Sequence, residues 1–259
     1  MIYFLLALLL QSPSRQDYAT LFSSVLQESL TVEGLVHYDI LAAHPAWPEV
    51  VAGVELFDFR LAESDGAKLA FWLNAYNVHM LNAVSKKPGR RSVMGLDRGA
   101  TFFKRPVKVA GQMLTLDQIE HAILREGDAA FAALRPATFD PRIHVALNCA
   151  AVSCPRLWPV AFNEASLDAQ LDRAMRAFVN SPNHFRVEAG RLVASALLEW
   201  FAADFDRAGM PAGDFLLSHM SPDRPQYEEL ESLLTGRASA AIAKEGAKFN
   251  YDWTVNRAQ

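Results

Sequence analysis

Cysteine is scarce in this chain. Of 259 residues only Cys149 and Cys154 carry a thiol, too few for a disulfide-built scaffold, so stability has to come from a hydrophobic core. The phosphate-cradling patterns G-x-x-x-x-G-K-[ST] and G-x-G-x-x-G are missing, as are the G-x-S-x-G nucleophile turn and the H-E-x-x-H zinc pair. No cofactor and no resident metal is therefore expected. Charge of one sign is not in excess either: the formal net charge is −4, with 21% charged residues. No basic stripe interleaves with aromatics, which argues against a nucleic-acid partner. The local run "SKKPGRRS" at 85–92 reads as a solvated loop. Nor is there an apolar run of the roughly 20 residues that a membrane-crossing helix needs. The 13 glycines and 13 prolines are scattered rather than pooled into a linker, so a single domain is expected.

The one continuous apolar run, Ile2 to Leu10, has the length of a signal-peptide core and breaks at Gln11, Ser12, Pro13 and Ser14. Residues 1–14 are thus expected to be a signal peptide or N-terminal anchor ahead of a domain over 15–259. The expected location is periplasmic or extracellular, with no stable membrane span after leader removal.

Hydrophobic spacing sets the expected elements. Tyr18, Phe22, Val25, Leu26 and Leu30 recur at helical intervals. Ser64 can cap a long helix whose stripe is Leu69, Trp72, Leu73, Tyr76, Met80 and Ala83. Asn74, Asn77, His79 and Asn82 interrupt that helix, and Asn is a poor interior helix residue because it competes for backbone hydrogen bonds. In "RPVKVAGQMLTLDQIEHAILRE" two short strands flank Ala110-Gly111 and lead into a helix with a Thr115/Gln118 capping box. "FRVEAGRLVASALLEWFAADF" repeats that layout around Ala189-Gly190, with Ser195 as the cap. Between them, a β-run is expected from Asp140-Pro141 through Leu147, followed by an amphipathic helix with Leu167, Leu171, Ala174 and Phe178 on one face. The expected fold class is α+β: a single domain of helices packed on a small sheet, with two hairpin-helix units.

Chemistry concentrates in "RIHVALNCAAVSCPRL", residues 142–157. Four readings of its cysteines stay open. A Cys149–Cys154 disulfide would close a small loop and suits an oxidising compartment. A zinc site could recruit His144 or His121, although close C-x2-C spacing is absent. A nucleophilic cysteine would need His144 as base and a third group to orient it. The pair could also be reduced and simply pack. Glu120 lies one position off the buried stripe of its helix, where it can orient an imidazole or sit as a surface ion-pair residue. Asn74 and Asn77, three apart, can hold a backbone segment or donate to a substrate carbonyl. Trp200 and Asp204 share one face of their helix, with packing as the default role.

Taken together these segments resemble the family known as domain of unknown function 547. "AFWLNAYNVHMLNAV" is similar to its F-W-[IL]-N-x-Y-N helix, "LDQIEHAILR" to its L-x-x-I-E-H segment, and "DPRIHVALNCAAVSCPRL" to its D-P-R-[IV]-H-F-A-[LV]-x-C-A-x-x-x-C-P core. "ALLEWFAADF" and the terminal "YDWTVN" also resemble family segments, which extends the likeness over most of residues 17–257. Trp72, Asn74, Asn77, Glu120, His121, Arg142, His144, Cys149, Cys154 and Pro155 match residue by residue, while Val145 stands where an aromatic is usual. The resemblance implies a stand-alone exported domain and no established activity.

The expected site therefore gathers the Asn-bearing helix, the Glu120-His121 helix and the His144–Cys154 segment. For cysteine-dependent acyl transfer or amide hydrolysis, Cys154 would be the nucleophile, His144 its base, Glu120 the group orienting that base, and Asn74 or Asn77 an oxyanion donor. Asn77, His121, Arg142 and Trp72 would contact a small-molecule or peptide substrate. The alternative is a non-enzymatic binding or scaffold domain with a Cys149–Cys154 disulfide. Bonded sulfurs with His144 turned into the core would favour the second reading, and a His144–Cys154 hydrogen bond the first.

Overall fold

A computed structural model describes residues 18–244 and 248–259. The apolar run at Ile2–Leu10 and the expected leader lie outside the described residues. Among the described residues no helix is long and apolar enough to cross a membrane.

The first part of the chain is helical. α1 (Tyr18–Ser29) buries Tyr18, Phe22, Val25 and Leu26, the spacing that marked it as amphipathic. It packs against α2 (Tyr38–Ala43) and α3 (Trp47–Glu55). α4 (Asp65–Ser85) begins at Ser64, whose hydroxyl accepts the Ala67 N–H at 2.9 Å. The sequence suggested a single apolar stripe, but every α4 residue from Leu69 to Leu81 is buried. This helix runs through the middle of the protein, and its polar residues must find partners inside.

A short α5 (Ala100–Phe103) precedes the hairpin of β1 (Val107–Val109) and β2 (Gln112–Leu114). Ala110 and Gly111, at φ 47° and 78°, form the two-residue loop with both central residues left-handed, the geometry that matches strand twist in a hairpin. Their N–H groups donate to the Val54 and Glu55 carbonyls at 3.0 and 2.9 Å, so the hairpin also caps the C-terminus of α3. The second hairpin has the same turn: Ala189 and Gly190, at φ 50° and 71°, join β3 (Phe185–Glu188) to β4 (Arg191–Ser195).

Between the hairpins, the β-run expected over Asp140–Leu147 is instead the one-turn helix α6 (Ile143–Ala146). The reason is local. Asp140 accepts the Arg142 N–H at 2.8 Å, and Pro141 supplies a helix-compatible φ, so "DPR" acts as a helix start rather than a strand start. α7 (Leu167–Asn180) follows and packs against α6. After β4 come α8 (Leu197–Trp200), α9 (Ala202–Phe205), α10 (Ala212–Ser218), α11 (Tyr227–Leu234) and α12 (Ser239–Lys244). β5 (Lys248–Asn250) then adds parallel to β4. The class is α+β, with a two-stranded and a three-stranded sheet.

Two hydrophobic clusters form the core, one around α1–α4 and one around α7, β3–β4 and the C-terminal helices. α6 lies at their junction: Ile143, Ala146 and Leu147 belong to the first cluster, Val145 to the second. The last residues lace this junction together. Asn256 N–H donates to the Ala150 carbonyl and Val152 N–H to the Thr254 carbonyl, while Val36 and Val93 N–H groups donate to Asn256 and Trp253 carbonyls. The chain end thereby lays Tyr251 and Trp253 beside the cysteine loop.

Candidate functional site

Cys149 and Cys154 are joined as a disulfide. Asn148 builds the loop between them. Its N–H donates to Asn77 Oδ1 at 2.8 Å, its amide nitrogen donates to the Pro155 carbonyl at 2.8 Å, and its amide oxygen accepts the Ala150 N–H at 2.8 Å. Ala150 adopts φ 59°, a left-handed turn that these bonds hold in place. The Tyr251 hydroxyl lies 2.9 Å from Cys149 Sγ and 3.1 Å from Cys154 Sγ. Cys154 Sγ also accepts the Cys149 N–H at 2.9 Å.

His144 is 3% exposed and makes its side-chain bond to Asp204, 2.9 Å from Nε2 to Oδ2. Burial, and then the Arg125 guanidinium and His121, outweigh the carboxylate and hold the imidazole below its usual pKa. Burial alone would raise the Asp204 carboxyl, but hydrogen bonds from His144 and Arg125 bring it below its usual range. The two shifts agree on a neutral imidazole whose Nε2–H donates to an ionised carboxylate, and they leave the lone pair on Nδ1. That Nδ1 is buried without a hydrogen-bond partner. The ring stacks on Phe201 with centroids 3.8 Å apart. Arg125 completes the cluster: it pairs with Asp204, approaches His121 Nδ1 at 3.0 Å and lies over the Phe201 ring.

Glu120 and His121 occupy a π-helical stretch, Gln118–Leu124, in which the Arg125 N–H reaches back five residues to the Glu120 carbonyl. Thr115 and Gln118 start it with the expected reciprocal cap, at 2.9 and 3.1 Å. Such widened turns recur at functional sites because they re-aim side chains. Here Glu120 meets the Tyr76 hydroxyl from α4. Burial pushes the Glu120 carboxyl up to about 7, against the opposing effects of that hydrogen bond and of Arg125. Burial also raises the phenols of Tyr76 and Tyr251, and Glu120 adds to both shifts.

These groups surround one cavity of about 240 Å³. Its wall carries the disulfide, Tyr76, Glu120, His121 and His144. Trp200, Tyr251 and Trp253 form an aromatic cluster at one side: Trp200 stacks on Trp253 at 5.4 Å and Tyr251 lies 4.5 Å from Trp253. Trp200 is 44% exposed. Arg98 and Lys104 also line the cavity, both exposed and without an ion pair among the described residues.

The cavity therefore brings together five of the nine candidate site residues named from sequence: Glu120, His121, His144, Cys149 and Cys154. The other four lie elsewhere. Asn74 bonds both ways with Phe162, its amide nitrogen to the carbonyl at 2.8 Å and its oxygen from the N–H at 2.9 Å. Asn77 does the same for the Ala146 carbonyl and the Asn148 N–H, at 2.9 and 2.8 Å. Both asparagines are thus committed to backbone. Trp72 is fully buried and donates to the Leu134 carbonyl at 2.7 Å. Arg142 ties Asp140, Asp168 and Asp172 together at 2.7 to 2.8 Å, fastening the start of α6 to α7. His144 is oriented by Asp204 rather than by Glu120, and it lies on a helical turn rather than a strand.

Sequence reasoning passed over Tyr251, Trp253, Arg98, Lys104 and Asp117, and it treated Asp204 as packing. Only Asp204 left a signal: an acid four residues after Trp200 on a short helical face, otherwise apolar at Phe201 and Phe205.

Among known proteins, no curated protein and no solved structure is significantly similar to the chain. The model of the family described as "Protein of unknown function, DUF547" matches residues 62–179. That stretch holds the Asn-bearing helix, the Glu120-His121 segment and the cysteine loop, whereas Asp204 and Tyr251 lie beyond it. The likeness to that family of unknown function is thus carried by residues 62–179.

Proposed function

We propose that this is an exported binding protein whose cavity takes a small ligand with a flat apolar body and an anionic group. The observation that carries the reading is the cavity's composition: an aromatic cluster of Trp200, Tyr251 and Trp253 on one side and two unpaired cations, Arg98 and Lys104, on its lining. Aromatic faces suit a planar apolar group, and a few placed polar groups fix orientation. The disulfide favours this reading over a free thiol, and it is compatible with an oxidising compartment.

Calorimetry with naphthalene-2-carboxylate and its neutral carboxamide tests the proposal. The carboxylate should bind more tightly, Arg98→Glu with Lys104→Glu should abolish that preference, and Trp200→Ala should weaken both ligands. Equal affinity for the two probes, or binding indifferent to Trp200, would count against it.

A second reading retains cysteine-dependent acyl transfer or amide hydrolysis, because His144, paired with Asp204, lines the same cavity as Cys154 and has an imidazole lone pair without a partner. It requires prior reduction of the disulfide. In reduced protein, an iodoacetamide probe should label Cys154 fastest, and Cys154→Ser should abolish that labelling. Unchanged labelling mapped to Cys149 would remove the reading.

A further inference from the structure

We propose that the Cys149–Cys154 bond is an exchangeable disulfide and that the cavity admits a small anionic thiol that reduces it, so that the chain carries out thiol–disulfide exchange. The inference rests on the proposed ligand pocket only for where the thiol's charge is held. Three observations support it.

The bond is placed for reaction. Both cysteines line the cavity, and Cys149 is half-buried, whereas Cys154 is 6% exposed. A chain with a core of this size does not depend on one six-residue disulfide loop to fold, since such bridges are needed mainly where the core is small. The two sulfurs also differ in a way that sets direction. Cys154 Sγ accepts the Cys149 N–H and lies within reach of the Tyr251 hydroxyl, while Cys149 Sγ has only the shared Tyr251 hydroxyl. Two donors stabilise a thiolate at Cys154 and make it the better leaving group, and the more accessible Cys149 is the sulfur open to attack. Finally, Arg98 and Lys104, cations without an ion pair among the described residues, line the same cavity as the two sulfurs, together with the acids Asp117 and Glu120. Glu120, pushed up to about 7 by burial, is largely protonated at mildly acidic pH and adds little negative charge there.

The chemistry closes on itself. The thiolate of the incoming thiol attacks Cys149 Sγ. The S–S bond breaks, and its electron pair leaves on Cys154 Sγ, which accepts the Tyr251 and Cys149 hydrogen bonds and then a proton. A second thiolate attacks the substrate-derived sulfur of the mixed disulfide, forms the disulfide of the small thiol and releases the Cys149 thiolate, which is protonated in turn. Two thiols are oxidised to one disulfide, the protein disulfide is reduced to two thiols, and the two protons move from the substrate thiols to the cysteines.

The test uses oxidised full-length protein with thioglycolate, an anionic thiol, and cysteamine, a cationic one. Reduction is followed by acid quench, alkylation and mass. Each rate is divided by that of the same thiol on hydroxyethyl disulfide, which cancels intrinsic nucleophilicity. Thioglycolate should show the larger normalised rate, and Arg98→Glu with Lys104→Glu should reverse the order. Tyr251→Phe should slow both thiols about tenfold, as expected for a leaving thiolate that has lost a hydrogen bond. In wild-type protein treated with limiting thioglycolate and quenched with acid, the trapped mixed disulfide should map to Cys149, and one on Cys154 would overturn the assigned direction. A protein disulfide inert where hydroxyethyl disulfide reacts, equal normalised rates for the two thiols, or a wild-type rate in Tyr251→Phe would overturn the proposal. Naphthalene-2-carboxylate titrated into the same oxidised sample keeps the two readings apart: binding beside an inert disulfide removes exchange alone, and exchange without binding sustains it while removing the aromatic-ligand reading.

Discussion

Glu120 should make the protein less stable as the solution turns from acid to slightly alkaline. Its carboxyl is raised from 4.5 to about 7 in the folded chain, chiefly by burial. Below pH 4.5 the group is protonated whether the chain is folded or not, so it has no effect. Between 4.5 and 7 the folded state holds a proton that the unfolded state has released, and unfolding free energy falls as pH rises. Above 7 both states are ionised, and the folded state bears the full cost of a carboxylate it does not solvate well. A shift of about 2.5 units at 1.36 kcal/mol per unit corresponds to about 3 kcal/mol. Glu120→Gln keeps the shape and an oxygen to accept the Tyr76 hydroxyl but cannot ionise.

The assay is urea denaturation of wild type and Glu120→Gln at half-unit steps from pH 4 to 8.5. The difference between the two isolates Glu120 from every other titrating group. The variant should match wild type near pH 4 and exceed it by about 3 kcal/mol at pH 8, with the rise centred between 4.5 and 7. With a slope of about 2 to 3 kcal/mol per molar urea for a chain of this size, the midpoint should move by about 1 M. A difference that is flat with pH, or one in which wild type gains over the variant as pH rises, would refute the assignment of a buried, proton-holding Glu120.

Other perturbations follow from the same contacts. Asp204→Ala leaves His144 and Arg125 without their shared carboxylate, and should cost about 3 kcal/mol in thermal or chemical denaturation. A loss under 1 kcal/mol would show that the pair is solvated. Asn77→Ala orphans the Ala146 carbonyl and the Asn148 N–H at once, for about 2 to 4 kcal/mol; a near-neutral result would mean that water replaces the amide. Replacing both cysteines with serine opens a six-residue loop and should lower stability by about 2 kcal/mol while leaving naphthalene-2-carboxylate binding largely intact. A collapse of binding in that variant would place the sulfurs in the ligand contact itself.

How much of this could be read from residues alone depends on whether the signal was local. The caps at Ser64 and Thr115/Gln118, the Ala-Gly turns and the apolar spacing of α1 and α7 each depend on a few adjacent side chains, and each forms as expected. The strand expected over Asp140–Leu147 failed because an apolar run of that length does not distinguish a buried strand from a buried helical turn. The Asp-Pro start decided between them. Asn74 and Asn77 were conspicuous on α4 for a real physical cause, since polar side chains in a fully buried helix must be satisfied. What pattern could not supply was the partner, and both turned out to be loop backbone.

The cavity itself depends on contacts between residues far apart in sequence, which explains why half of it went unseen. His144 is oriented by a carboxylate 60 positions away and the disulfide is met by a phenol about 100 positions away. Neither Asp204 nor Tyr251 falls within the matched family segment. Asn77 joins the two halves: its amide fixes both the end of α6, which carries His144, and the start of the cysteine loop, which carries Cys149. An asparagine that looked like a substrate donor thus acts one step back, by tying the helix that carries His144 to the loop that carries Cys149. It follows that Asn77→Ala should alter the reactivity of the disulfide toward thioglycolate even in protein that remains folded, whereas Asn74→Ala, whose partner Phe162 lies outside the cavity lining, should destabilise the fold and leave that reactivity unchanged in the folded fraction. Equal effects of the two variants on exchange would show that the loop, not Asn77, sets the geometry.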